Sequence, residues 1–109
     1  MNHSVLKVLA VVATAVALPA AAQTKGDATA GKQKIQMCQG CHGIEGWRTA
    51  FPEVFHVPRI GGQHEAYLVS ALKAYKSGDR NHPSMRAIAG SLSDKDMQDL
   101  AAFYASSTK

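Results

Sequence analysis

The sequence predicts an all-α domain with long connecting loops. Three stretches carry apolar residues at helical spacing, each has a recognisable cap at one end, and no stretch alternates apolar and polar residues as a half-buried strand would.

The first helix is expected to start after Asp27, whose side chain suits the N-cap position. It is expected to run unbroken through ATAGKQKIQM toward Cys38, with Ala28, Gly31 and Ile35 on one face. The second is HEAYLVSALKAYKSG, where Tyr67, Leu68, Ala71, Leu72 and Tyr75 share a face and Gly78 stands at the C-terminal cap. The third follows Ser93. Ser93 and Asp96 form a capping box with Asp in place of Glu or Gln, and Met97, Leu100, Ala101, Phe103 and Tyr104 form the apolar face. A short helical turn is expected around Met85–Ala89. Between these elements, GIEGWRTAFPEVFHVPRIGG and SGDRNHPSM read as loops. The first carries Trp47, Phe51, Phe55, Val57 and Ile60, more apolar surface than a solvated loop leaves in water, so it is expected to wrap around something.

Residues 1–22 stand apart from this pattern. Lys7 precedes an uncharged apolar run from Val8 to Leu18, Pro19 breaks the run, and Ala20-Ala21-Ala22 supplies small residues. This is the order of a secretory signal peptide cleaved after Ala22. The run falls well short of the roughly 20 residues a membrane-spanning helix requires. Removing 22 of the 109 residues leaves 87, a single domain spanning 23–109. A domain of that size often depends on a staple beyond its own core.

The remaining 11 Lys and Arg against 8 Asp and Glu give a net charge of +3. The basic residues are scattered, with no dense block interleaved with aromatics, so nucleic-acid binding is not expected.

Both cysteines lie in Cys38-Gln39-Gly40-Cys41-His42. A disulfide between them would close a very small loop and constrain the unfolded chain little. Zinc normally takes four ligands, and His56, His64 and His82 lack the spacing that would supply the rest. A thioredoxin-like pair follows a strand, and none precedes Cys38. The pattern C-x-x-C-H is the attachment signature of c-type haem. Two thiols add across the porphyrin vinyl groups, and the adjacent His42 reaches the iron. Haem also supplies the staple that 87 residues lack. The second axial ligand is expected to be Met85, which sits in a polar loop stiffened by Pro83 rather than in an apolar stripe. His82 is the alternative. Met97 shares the face of the third helix and reads as core, and Met37 is expected to pack against haem or helix.

In GDATAGKQKIQMCQGCHG, PRIGGQHEAYLVSALKAYKSGDR and HPSMRAIAGSLSDKDMQDLAAFYAS, taken in order, the chain resembles the small soluble class I c-type cytochromes of bacteria, the monohaem c-553-like kind. The resemblance spans roughly Lys25 to Ser106. It implies a class I cytochrome c fold, three main helices and long loops around one covalent haem c. It further implies periplasmic one-electron transfer without substrate chemistry, by a monomer that meets redox protein partners and docks transiently on membrane respiratory complexes. By position, Cys38 and Cys41 match the thioether cysteines, His42 the proximal ligand and Met85 the distal one. Pro58 resembles the proline whose carbonyl accepts the other ring N–H of the proximal histidine. Gly31 and Phe103 resemble the crossing point of the terminal helices. The segment GIEGWRTAFPEVFHV is longer and more aromatic than the family pattern. Trp47 stands between a propionate contact and packing on the ring, and Arg48 between a propionate contact and solvent. Arg59 and Arg80 are expected to be solvated rather than propionate ligands, and His64 to be exposed. Two further readings stay open: a haem subunit fixed to a periplasmic or membrane-bound dehydrogenase or oxidase, and a peroxidase-like or gas-binding haem protein with an open sixth position.

Overall fold

The structure is a computed structural model and describes residues 25–50 and 54–108. The leader expectation for residues 1–22, and Phe51, lie outside the described residues. Among the described residues five helices follow in order: α1 (Ala28–Lys32), α2 (Gln36–His42), α3 (Glu65–Ser77), α4 (Pro83–Gly90) and α5 (Asp94–Ser106). Among the described residues there is no strand, only an isolated antiparallel bridge between Arg48 and His56.

The long first helix expected from the sequence is broken in two. The N–H of Gln33 bonds to the Ala30 carbonyl at 3.2 Å and that of Lys34 to the Gly31 carbonyl at 2.9 Å. These bonds tighten the chain into a three-residue turn before α2 begins. The break has a tertiary cause. α1 crosses α5 so closely that a Cβ on Gly31 would lie 2.0 Å from the Asp99 carbonyl oxygen and 2.9 Å from Phe103 Cβ. The turn then carries Lys34 to Asp96 and Asp99 on α5, and carries Ile35 and Cys38 onto the core. Gly31 and Phe103 therefore meet at the crossing of the terminal helices, where only a hydrogen fits in place of a side chain.

Asp99 fastens this crossing. It is 1% exposed and accepts hydrogen bonds from the Asp27 backbone N–H (2.8 Å), from Lys34 Nζ (2.8 Å) and from Lys95 Nζ. Lys34 also reaches Asp96 at 2.8 Å. Such bonds hold the Asp99 carboxyl well below the usual carboxylate range, the Asp27 N–H most of all and then Lys34 and Lys95. Lys34, followed by Ser93, does the same for Asp96. Nothing in the local pattern of α5 marks Asp99, because its partners lie up to 72 residues away.

The other boundaries follow local chemistry. Gly78 adopts φ 93°, the left-handed conformation that ends α3, and its N–H bonds to the Ala74 carbonyl. The Ser93 and Asp96 side chains each bond the other's backbone N–H, completing the capping box of α5. α4 is longer than the expected turn at Met85–Ala89. It starts at Pro83, which occupies the first helical position, and His82 Nδ1 accepts the Met85 N–H at 3.4 Å.

The fully buried core is small. Leu92, Met97 and Leu100 form its centre, with Ile35, Cys38, Leu72 and Tyr104 packed against it. Met97 is completely buried, as its place on the α5 face implies. Met37 does not pack as expected. It is 51% exposed, since the break after α1 turns Cys38 inward and leaves the preceding residue outside.

Candidate cofactor site

Between α2, α3, α4, α5 and the loop at 55–63 lies a cavity of about 500 Å³, within the range of cofactor pockets. Each element contributes a face for a reason already present in the sequence. The apolar stripe of α3 turns Leu68, Ala71, Leu72 and Tyr75 toward it, α4 adds Ile88, and α5 adds Leu100, Ala101 and Tyr104. Phe55, Val57 and Ile60 line it from the loop. That loop is folded back on itself: the Thr49 N–H bonds to the Phe55 carbonyl at 3.0 Å and the Val57 N–H to the Trp47 carbonyl at 2.9 Å. Trp47 and Arg48 do not line the cavity and are exposed. The wrapping expected of the whole loop is therefore performed by its second half.

Of the residues singled out in the sequence, Cys38, His42, Pro58 and Met85 line this one cavity. Cys38 and His42 come from α2, Pro58 from the loop and Met85 from the first turn of α4. His42 Nδ1 lies 2.6 Å from the Pro58 carbonyl oxygen. A carbonyl only accepts, so this contact places the ring proton on Nδ1 and leaves Nε2 its lone pair. Cys41, one helical turn after Cys38, is exposed and does not line the cavity. No disulfide joins Cys38 to Cys41. Burial pushes the Cys38 thiol up, and a hydrogen bond with the Tyr104 hydroxyl pulls it partly back. Burial, then Cys38, raises the Tyr104 hydroxyl above its ordinary value.

His82 also lines the cavity, but its ring is already engaged. Nδ1 caps α4, and the ring packs on Phe55 with centroids 4.6 Å apart. Met85 has no comparable polar duty for its sulfur, and its backbone is fixed by the cap that His82 provides. His64, at the N-cap of α3, is exposed, as expected.

Arg59 and Arg80 are exposed, as expected, and both also line the cavity. Arg59 is half-exposed and sits 3.9 Å from Glu45. The Arg80 guanidinium lies 4.8 Å from the centre of the Tyr75 ring and donates to the Tyr67 hydroxyl at 3.4 Å. The Tyr67 bond is the main influence that raises the guanidinium further above its already high pKa. The two arginines flank α3 in sequence, one before it and one after it, so the scattered charges gave no sign that they face one space.

An all-α shell around an apolar cavity, with a thiol, an imidazole and a thioether on its walls, suits a haem, a flat apolar ring whose iron takes nitrogen and sulfur ligands. That chemistry defines the class, a haem-holding helical domain. The chain belongs to the Cytochrome c family, whose pattern matches residues 28–108. It is 43% identical over 84 residues to cytochrome c-554(548) of Halomonas halodenitrificans, covering 74% of this chain and 96% of that protein. It is 36% identical over 100 residues to cytochrome c4 of Pseudomonas aeruginosa, covering 92% of this chain and 48% of that one. The solved structure of Acidithiobacillus ferrooxidans cytochrome c4 superposes with a TM-score of 0.59 at 27% identity, over 78% of this chain and 52% of that chain. The chain thus spans nearly all of the first relative and about half the length of the cytochromes c4. Its fold is the class I cytochrome c fold, and the protein is an electron-carrying c-type cytochrome with covalently bound haem c.

Proposed function

We propose that Cys38 and Cys41 attach the haem, that His42 and Met85 ligate its iron, and that the mature chain is a periplasmic one-electron carrier, a monomer without substrate turnover. One observation carries the assignment: Cys38, His42, Pro58 and Met85, spread over 48 positions of sequence, line a single cavity. A bound haem would supply a one-electron ferrous/ferric couple, and the chain's own residues do the holding and the shielding. Cys38, on the cavity wall, and Cys41, on the exposed side of α2, would hold the cofactor. The Pro58 carbonyl fixes the His42 ring and strengthens its free nitrogen as a ligand. The apolar faces of α3 and α5 exclude water. The His82 cap and Pro83 hold Met85 in place, where it would keep its hold on the iron with little rearrangement on electron transfer.

Export, with cleavage after Ala22, belongs to the same reading. Among the described residues, no helix is long and apolar enough to cross a membrane. The partners are donor and acceptor redox proteins, including membrane respiratory complexes met transiently.

A second reading is a haem subunit seated on a dehydrogenase or oxidase. Ile44, Trp47 and Val54 are 43%, 42% and 68% exposed, an unusual amount of apolar surface in one short segment. One relative, from Stutzerimonas stutzeri, is named a thiosulfate dehydrogenase electron acceptor; it is 35% identical over 65 residues, 60% of this chain and 29% of that protein. Size exclusion of native periplasmic extract separates the two, because a free carrier elutes as a small protein. A redox titration with spectra at each step tests the carrier function. A single reversible one-electron wave with a low-spin spectrum is expected. A high-spin ferric form that readily binds cyanide would instead indicate an open-site haem protein.

A further inference from the structure

The segment before Pro58 is longer and more aromatic than the family pattern, and lining the cavity does not explain how it is closed. Its described ends are tied to each other. The Thr49 hydroxyl accepts the Phe55 N–H at 3.0 Å, the Thr49 N–H donates to the Phe55 carbonyl at 3.0 Å, and the Val57 N–H donates to the Trp47 carbonyl at 2.9 Å. Both backbone polar groups of Phe55 are thereby paired, which fixes its place. Two contacts leave this arm. The Pro58 carbonyl meets His42 Nδ1 at 2.6 Å. The Phe55 ring meets the His82 ring, with centroids 4.6 Å apart and planes tilted by 56°. His82 Nδ1 in turn accepts the Met85 N–H on the first turn of α4. At 3.4 Å that bond is long, so it depends on the imidazole staying where it is. Phe55 and Pro58 are three residues apart, a span of at most about 10 Å. One short arm therefore touches the support of each iron ligand.

We propose that Phe55 is a positioning residue for Met85: its ring holds the His82 imidazole against the start of α4, and the arm locked by Thr49 ties the support of the distal ligand to that of the proximal one. The proposal rests on the haem assignment above and adds a residue that acts on a ligand through another side chain. An N-cap works only while its acceptor stays within reach of the N–H, and an imidazole can rotate away from that geometry. A tilted aromatic partner confines it. A loosened cap frees the first turn of α4, and with it the backbone that carries the Met85 sulfur. Phe55 thus opposes displacement of Met85 by an outside ligand.

The test measures the cyanide affinity of the ferric holoprotein, because cyanide takes the iron position that Met85 gives up. The parent is compared with F55L, H82A and the double variant. Leucine keeps apolar bulk on the cavity wall and removes the flat ring. F55L is expected to bind cyanide on the order of two- to tenfold more tightly than the parent, the value of one aromatic pair. In the H82A background the same change is expected to have no further effect, since its route to Met85 is gone. An F55L protein with the parent's affinity overturns the proposal. So does an equal gain with and without His82, which marks Phe55 as packing on the cofactor alone. Should F55L not retain haem, T49V takes its place: valine keeps the shape and removes the oxygen that accepts the Phe55 N–H. A T49V gain that vanishes in H82A supports the proposal, and no gain, or the same gain in both, overturns it. A parent that shows the methionine-to-iron charge-transfer band, with independent effects in the variants, defeats this inference alone. A parent without that band defeats the ligand assignment beneath it.

Discussion

Replacing Asp99 by Asn tests how the terminal helices are locked. Asp99 is 1% exposed and accepts from the Asp27 N–H, Lys34 and Lys95, the first two at 2.8 Å. Hydrogen bonds to a charged group are worth about 1.5–3 kcal/mol each when the partners are held in place. Two discounts apply. Lys34 and Lys95 are about one-third and more than half exposed, so water and Asp96 recover much of what they lose. The Asn oxygen still accepts from the Asp27 N–H. The expected loss is therefore about 2 kcal/mol at pH 7 for D99N, rising to roughly 3 kcal/mol for D99A, which also strands that N–H. The pH dependence has a definite sign. The folded-state pKa of Asp99 is depressed, so its contribution is complete above the unfolded value near 4 and drains away as pH falls below it toward the folded value. Asp96 titrates over the same window in parent and variant and largely cancels. Denaturant unfolding of the holoprotein followed by far-ultraviolet circular dichroism, at pH 7 and pH 3, measures the difference. A D99N deficit that stays the same at both values, or one below about 0.5 kcal/mol at pH 7, would refute the role given to this carboxylate.

Further substitutions probe the other parts of the account. M85A should lose the weak methionine-to-iron charge-transfer band and bind cyanide or CO readily, both visible by absorption. H82A should keep that band and cost about 1 kcal/mol of stability, the value of an N-cap, in a denaturant titration. G31A should destabilise the fold by about 3 kcal/mol or more, because its Cβ meets backbone that cannot yield; thermal melts report this directly. C41S should keep haem through Cys38 alone, and its pyridine haemochrome band should shift toward that of a haem with one free vinyl group.

The parts of this molecule legible in the sequence are those set by neighbours a few residues away. The Ser93–Asp96 box, the Gly78 cap and the α3 stripe each depend on one helical turn, and each stands where the residues imply. C-x-x-C-H is equally local. What the sequence hid depends on contacts across the chain. The break between α1 and α2 exists because α5 lies against Gly31 and because Lys34 must reach Asp99, 65 residues on. Asp99 itself looks like any acidic residue on an exposed helix face until the crossing buries it. Met37 was misread for the same reason: its place beside Cys38 suggested packing, and the rotation of α2 after the break decides otherwise. The start of α4 is local as well, since Pro83 is a good first helical residue.

The assignment of Met85 to the iron can be measured most directly by proton NMR of the ferrous holoprotein. A methionine methyl held over the haem face experiences the full ring current and resonates far upfield of all others. The account predicts one such three-proton resonance in the parent, absent from M85A and retained in H82A. No upfield methyl in the parent, or its persistence in M85A, would contradict it.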